Sequence, residues 1–405
     1  MEANHLPIYL DYHATTPVDP RVLESMMPYF TRHFGNPASR SHPYGWKASE
    51  AVEIARKQVS DLLEVSDQDI IFTSGSTEGL NMAIKGLSDS LSYKGKHIIT
   101  IATEHPAVLD PLDWLSKKGF EITKVAVNGA GMIDPDQLKS YIRKDTIMVV
   151  AMFANNETGV CHDMTALGEI CRSFGIPLIC DATQAVGKIS VKPIEKGIDI
   201  LVLSAHKIYG PKGTGTIYIN TKEKKLKPEA LIHGGGHEKG FRSGTLNVPG
   251  IVGLGTAAHL RKISMKEDSV SIGKLRDQFE HSMLSTLEYV KVNGSLDHRL
   301  PTVSNIRVAM VDSQAIMTKL RTKLAISSGS ACSSANPAPS HVLLAMGLTG
   351  DEAKASFRIS LGSPTTKQEM DTATAMLIES INEYRSESPV WQMFKQGVEM
   401  KGLGG

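Results

Sequence analysis

Two short apolar runs, each ending in a reactive polar group, constrain this chain most: Ile176-Pro177-Leu178-Ile179-Cys180-Asp181, and Ile198-Asp199-Ile200-Leu201-Val202-Leu203-Ser204-Ala205-His206-Lys207. Runs this short, rich in Ile, Leu and Val and bounded by turn residues, predict buried strands of a parallel sheet. Ligands bind at the carboxyl ends of such strands in open α/β folds, so Asp181 and Lys207 are expected to face one crevice. Their plainest relation is a strand-end ion pair. They are also the two groups that pyridoxal phosphate (PLP) requires of a protein: an amine to condense with its aldehyde, and a carboxylate to hold its protonated pyridine nitrogen.

Two further segments complete such a site. Thr73-Ser74-Gly75-Ser76-Thr77-Glu78-Gly79 lies between the apolar Ile70-Ile71-Phe72 and the helically spaced Leu80-Asn81-Met82-Ala83-Ile84. A strand, a Gly/Ser/Thr turn and a helix present free backbone N–H groups and a helix dipole to a phosphate. The turn matches neither the Walker pattern nor G-x-G-x-x-G, which disfavours a nucleotide; without a phosphate it is an ordinary capped helix start. The other segment is Ser327-Ser328-Gly329-Ser330-Ala331-Cys332-Ser333-Ser334-Ala335-Asn336-Pro337. Ser and Gly cannot fill a core and suit an exposed loop, where a thiol is accessible for chemistry.

These residues belong to a longer series of ordered motifs: Asp11-Tyr12-His13-Ala14-Thr15-Thr16-Pro17, Gly35-Asn36-Pro37-Ala38-Ser39, Thr103-Glu104-His105, Asn155-Asn156-Glu157-Thr158-Gly159, Asp181-Ala182-Thr183-Gln184, His206-Lys207-Ile208-Tyr209-Gly210-Pro211-Lys212-Gly213 and Arg242-Ser243-Gly244-Thr245. From Tyr9 to about Tyr384 the chain resembles the cysteine desulfurases of the IscS/NifS type, PLP enzymes of the aspartate aminotransferase fold. The resemblance implies conversion of L-cysteine to L-alanine, with the sulfur held as a persulfide on Cys332. It makes Lys207 the lysine that carries the cofactor and Asp181 the partner of the pyridine nitrogen. His105 would stack on the ring and assist proton transfer, Gln184 would bond the phenolic oxygen, and Asn156 would lie beside ring and substrate. Ser76, Thr77, Ser204 and His206 would hold the phosphate, and Thr245 would reach the phosphate of the other subunit, so a homodimer is implied. Arg358 would take the substrate carboxylate, a role suited to its planar donor fork.

The Ser-Gly-Ser-Ala-Cys context of Cys332 is similar to the long-loop subgroup, which implies a swinging loop that delivers sulfur to acceptor proteins, an iron-sulfur scaffold or a tRNA-thiolation protein. The carboxyl end, Gly397-Val398-Glu399-Met400-Lys401-Gly402-Leu403-Gly404-Gly405, departs from the pattern: it lacks the aromatic, histidine-bearing tail with which such enzymes engage the scaffold. Another PLP reaction, selenocysteine lysis or amino transfer, would share the cofactor site, and only Cys332 and its loop separate the two. A cofactor-free binding protein would not need Lys207, Asp181, His105 and Cys332 together.

Alternation of strand-like and helical runs from Ile70 to about Ile219 predicts βαβ units and a mostly parallel sheet. Beyond Gly234-Gly235-Gly236, a long charged helix from about Val248 to Val290 is expected with an interruption. A smaller, more antiparallel sheet should follow, built from Val292, Asn305–Val308 and Phe357–Ile359, with a carboxyl helix over Met370 to Tyr384. The expected division is a segment 1–15 packing with the small domain, a large PLP-binding domain over 16–262, and a small α/β domain over 263–405. A net charge of +1 on 405 residues gives no electrostatic case for nucleic acid or an acidic membrane. No apolar run nears the ~20 residues of a membrane span, and Met1-Glu2-Ala3-Asn4-His5-Leu6-Pro7 lacks a signal-peptide pattern, so a cytoplasmic protein is expected. Cys161, Cys171 and Cys180 show no metal-binding spacing with Cys332 and are expected to be packing thiols. His233 and His237 flank glycines and are assigned to a loop or interface; no metal site is expected.

Overall fold

The structure is a computed structural model that describes residues 6–221, 226–328 and 338–396. Its strands are β1 (Ile8–Tyr9), β2 (Ile70–Thr73), β3 (His97–Ile101), β4 (Glu121–Val125), β5 (Thr146–Met152), β6 (Leu178–Asp181), β7 (Ile200–Ser204), β8 (Gly215–Ile219), β9 (Val290–Val292), β10 (Val303–Val308), β11 (Leu324–Ala325) and β12 (Ser356–Ser360). Seven of them form the principal sheet in the order β2-β8-β7-β6-β5-β3-β4, with β8 antiparallel to both neighbours and the remaining pairs parallel. The expectation of a mostly parallel sheet is met.

Period-two alternation explains why these strands carry unbroken apolar runs. Cys180, Val149, Leu201 and Leu203 point into one core, packed with Val52, Val59 and Leu254 of the covering helices. Their neighbours Ile179, Val150, Ile200 and Val202 point into the other, against Leu80, Ile84 and Leu112. A sheet covered on both faces leaves its strand ends as the accessible polar sites, and Asp181 ends β6 while Ser204 ends β7.

A second, antiparallel sheet in the order β12-β10-β9 has its own core of Ile306, Val308, Phe357 and Ile359, closed by Phe279, Met283, Leu377 and Ile381. Leu10 belongs to that core, and β1 pairs in parallel with β11. The carboxyl helix runs Lys367–Glu387, with a Thr366/Glu369 capping box.

The long helix differs from expectation: Val248–Thr286 is continuous over 39 residues. Asn247 caps it by accepting from Gly250 N–H at 3.2 Å. Its glycines admit neighbours, since a Cβ on Gly255 would stand 2.5 Å from Ala55 Cα and one on Gly253 2.5 Å from Met26 Sδ. Among the described residues no helix is long and apolar enough to cross a membrane.

Candidate active site

The site begins at a glycine. Gly75 adopts φ 151°, ψ 179°, a conformation open essentially to glycine alone, and precedes the helix Ser76–Leu91 with no side chain capping it. A Cβ on Gly215 of β8 would stand 2.6 Å from Gly75 Cα, so the turn is pressed against the sheet. The first-turn N–H groups at Ser76 and Thr77 are thereby offered to an anion. Ser204 Oγ lies 3.6 Å from where a Gly75 Cβ would stand, which brings the end of β7 to the same turn.

Thr183 ties this end to Asp181. Its hydroxyl donates to Asp181 Oδ1, to which its backbone N–H also donates at 3.0 Å. A hydroxyl has one proton, so the 2.7 Å contact between Thr183 Oγ1 and Ser76 Oγ is donated by Ser76. Asp181 Oδ2 has no hydrogen-bond partner among the described residues, which suits a carboxylate that receives a proton from a ring nitrogen.

Lys207 lies at the end of the 3-10 turn Ala205–Lys207 that follows β7, and its Nζ donates to His13 O at 2.6 Å and Ala14 O at 2.7 Å. His105 senses both Asp181 and Lys207, and burial in first place lowers its pKa, so its ring is held neutral. Its Nδ1 accepts from Ala107 N–H at 3.1 Å as the cap of the helix Pro106–Ser116, which puts the ring proton on Nε2. His206 is also kept neutral, its pKa brought down to about 4 by burial and then by the Lys207 and Lys212 charges.

Arg358, on β12, donates from Nη2 to Asp11 Oδ1 at 2.6 Å and from Nη1 to Asn156 O at 3.3 Å. Its Nε is buried with no hydrogen-bond partner. An orphaned donor on a buried guanidinium fits an incoming carboxylate. His13 braces this side: its Nδ1 donates to Asn156 O at 3.1 Å, and its Nε2 accepts from Thr302 Oγ1 at 2.9 Å. The Asn155 side chain accepts from Glu157 N–H and Thr158 N–H at 2.8 and 3.0 Å and so shapes the turn that holds Asn156.

Cys332 lies outside the described residues, but the chain on either side of it is tied to this crevice. Ser327 exchanges backbone hydrogen bonds with Arg358 at 2.6 and 3.3 Å. Ser340 donates to Glu157 Oε2 at 2.5 Å, and His341 Nε2 donates to Glu104 O at 2.9 Å. Of the other thiols, Cys171 and Cys180 are buried, and burial pushes the Cys161 thiol up to about 12. All three are packing thiols, as the sequence suggests.

Lys207, Asp181, His105, Asn156, Ser76, Thr77, Ser204, His206 and Arg358 therefore converge, and Gln184 joins them through Nε2, which donates to His13 O at 2.9 Å. Thr245 does not join them by any hydrogen bond: it is exposed, on a segment held by Arg242 Nε donating to Glu78 Oε1 at 2.9 Å. Sequence reasoning missed Glu104, His13, Asp11 and Lys188. Glu104 is fully buried, accepts from Met152 N–H at 2.5 Å, and has its carboxyl pushed well above the usual range, first by burial and then by Asp181. Both Glu104 and His13 stand inside recognisable motifs, which was the available signal.

The uncapped helix start, the open oxygen of Asp181 and the orphaned Arg358 Nε fit PLP and an amino acid carboxylate. The class-V aminotransferase family model matches residues 8–372, and the chain belongs to that family. Within it, the chain is 47% identical over 398 residues to cysteine desulfurase IscS of Anaeromyxobacter dehalogenans strain 2CP-C, with 98% of each chain covered. It is 48% identical over 397 residues to cysteine desulfurase IscS of Shewanella sp. strain ANA-3, again over 98% of each. Among solved structures it is similar to a NifS-like protein with TM-score 0.86 and 33% identity, covering 93% of this chain and 100% of that one. It is also similar to SspA in complex with cysteine, with TM-score 0.76 and 34% identity over 88% of this chain and 99% of that one.

Proposed function

We propose that this chain is a PLP-dependent cysteine desulfurase that converts L-cysteine to L-alanine and holds the sulfur as a persulfide on Cys332. The described residues on either side of the Cys332 segment support this reading: Ser327 bonds to Arg358, Ser340 to Glu157 and His341 to Glu104, all at the crevice. When bound, PLP supplies an aldehyde that captures amines and an electron-poor ring that takes up charge from a bond broken at Cα.

The chain's own residues divide the remaining work. Lys207 Nζ would hold the cofactor and move the substrate's Cα proton. Asp181 would keep a proton on the pyridine nitrogen, and Gln184 would donate to the phenolic oxygen. Ser76, Thr77, Ser204 and His206 would bind the phosphate. His105, neutral and with its proton on Nε2, stacks on the ring and can give that proton while its Nδ1 remains occupied by Ala107. Arg358 orients the carboxylate, beside Asn156. The Cys332 thiolate attacks the substrate sulfur: the new S–S bond forms, the S–Cβ bond breaks, and its electron pair is protonated to give the methyl of alanine.

Thr245 completes the phosphate site of a second subunit in a homodimer. The exposed Phe30, Phe34, Tyr44 and Trp46 support such an interface. The physiological setting is cytoplasmic, with an iron-sulfur scaffold or tRNA-thiolation protein as sulfur acceptor.

The test is incubation of the holoenzyme with L-cysteine. Alanine should form, and mass spectrometry should find one added sulfur on the peptide holding Cys332. Cys332→Ser should retain the cofactor's visible spectrum yet lose alanine and persulfide. Sulfur on Cys161, Cys171 or Cys180 instead would exclude the assignment of Cys332.

A further inference from the structure

Gln184 and Lys188 lie four residues apart in the turns that follow β6. Ala185 and Val186 N–H donate to Ala182 O at 3.0 Å each, and Lys188 N–H donates to Ala185 O at 3.1 Å. Across these turns Lys188 Nζ donates to Gln184 Oε1 at 2.5 Å, while Gln184 Nε2 donates to His13 O at 2.9 Å. Both side chains are buried, with Gln184 5% and Lys188 8% exposed. A primary amide has two N–H donors and one oxygen. Its oxygen is taken by Lys188 and one N–H by His13, which leaves a single N–H. Rotating the amide by half a turn would set its NH2 group against the Lys188 amine and its oxygen against the His13 carbonyl. The His13 carbonyl opposes that flip outright, and Lys188 opposes it whenever its amine carries its proton.

A buried lysine is costly unless it serves something. No carboxylate pairs with Lys188 among the described residues. Instead it faces Lys207, Arg261, Arg358, His13 and Cys161; burial first, and then the three cations, depress its affinity for a proton. Its amine donates to Gln184 whether or not it is charged. From the β6 side Gly187, at φ 73°, sets the turn, and from the long helix Ser269 Oγ holds Lys188 O at 2.6 Å.

We infer that Lys188 is a positioning residue that locks the Gln184 amide so that its remaining N–H points at the cofactor's ring oxygen. The inference rests on the proposed assignment of Gln184 to that oxygen. A donor held there favours the ionised oxygen, and it lowers the affinity for a proton of Lys207 Nζ in its linkage to the cofactor.

The experiment is a pH titration of the visible absorption of the holoenzyme in a double-mutant cycle. Lys188→Met should raise the midpoint by about one unit, a tenfold gain in proton affinity, and Gln184→Ala should raise it at least as far. The double variant should shift no further than Gln184→Ala alone, because Lys188 acts through that amide. Removing a positive charge near Lys207 also raises the midpoint, but it does so equally with and without Gln184. Additive shifts, or no shift in Lys188→Met, would overturn the proposal. If Lys188→Met does not fold, Lys188→Ala takes its place in the cycle with the same outcomes. A wild type in which borohydride fails to fix the cofactor on the peptide holding Lys207 would overturn the site assignment itself, and this inference with it.

Discussion

Asp181 and Arg358 illustrate how a role follows from what a side chain has left unpaired. Asp181 spends Oδ1 on Thr183 and keeps Oδ2 open. Replacing it by asparagine preserves shape but cannot hold a proton on the pyridine nitrogen. Asp181→Asn should bind cofactor and lose turnover by about 10²–10⁴-fold, the range typical of a lost proton-managing group; steady-state alanine formation checks it, and near-normal turnover would mean another carboxylate does this work. Arg358 is committed to Asp11 and Asn156 through Nη2 and Nη1, with Nε left over. Arg358→Lys can keep an ion pair with Asp11 but has no fork. Its kcat/KM for cysteine should fall roughly ten- to a hundredfold, as for a lost charge-assisted hydrogen bond, with the cofactor spectrum unchanged. Asp181, at the end of β6, and Lys207, one short turn past the end of β7, were legible because a short apolar run fixes where the polar residues after it emerge. Lys188 was not, since a lysine within a turn looks solvated until the fold buries it.

At the scale of elements, strands and helices declare themselves by period, whereas contacts between them do not. The expected strands β3, β4, β5, β6 and β7 all form, within a residue or two of their apolar runs. The interruption expected in this long helix does not occur: Val248–Thr286 is continuous, and its glycines lie where neighbouring elements press close, a contact that period alone does not disclose. The same close approach makes the phosphate turn sensitive to a site outside it. On Gly215, a Cβ would stand 2.6 Å from Gly75 Cα and 2.7 Å from Leu203 O, both backbone atoms that cannot swing aside. Gly215→Ala should therefore displace the start of the helix Ser76–Leu91. We expect a loss of about 1–3 kcal/mol in stability from overpacking and a cofactor affinity weakened at least about tenfold, a displacement worth some 1.4 kcal/mol at the phosphate. Reconstitution of apoenzyme with graded PLP measures the second effect; unchanged affinity would show that the turn is set by something other than β8.

For the molecule as a whole, buried histidines kept neutral by the fold are one source of acid sensitivity, beside carboxylates such as Glu78 and Asp268 whose pKa values are lowered. His13, His97, His105, His162 and His206 all have pKa values lowered, each first by burial. Such a group binds protons more weakly folded than unfolded, so its contribution is fully present above the ordinary value of 6.5 and drains away as pH falls through the folded one. Glu104 and Glu157 act oppositely: burial raises them, and their contribution is present below 4.5 and is lost as pH rises through their folded values. The slope of the whole protein mixes both, so one histidine is isolated only by difference. His162 is the cleanest case, being 4% exposed, with both ring nitrogens lacking partners and its pKa brought down to about 4 by burial alone. It stands outside the cofactor site, between Cys161 and the helix Met164–Ser173. His162→Leu replaces it with an apolar group of similar size and removes the proton linkage. Denaturant unfolding at about pH 7 and about pH 5 should find wild type losing about 2 kcal/mol more than the variant over that interval, the amount a shift from 6.5 to about 4 yields. Equal losses in the two proteins would mean that His162 finds a proton-stabilising partner in the folded state.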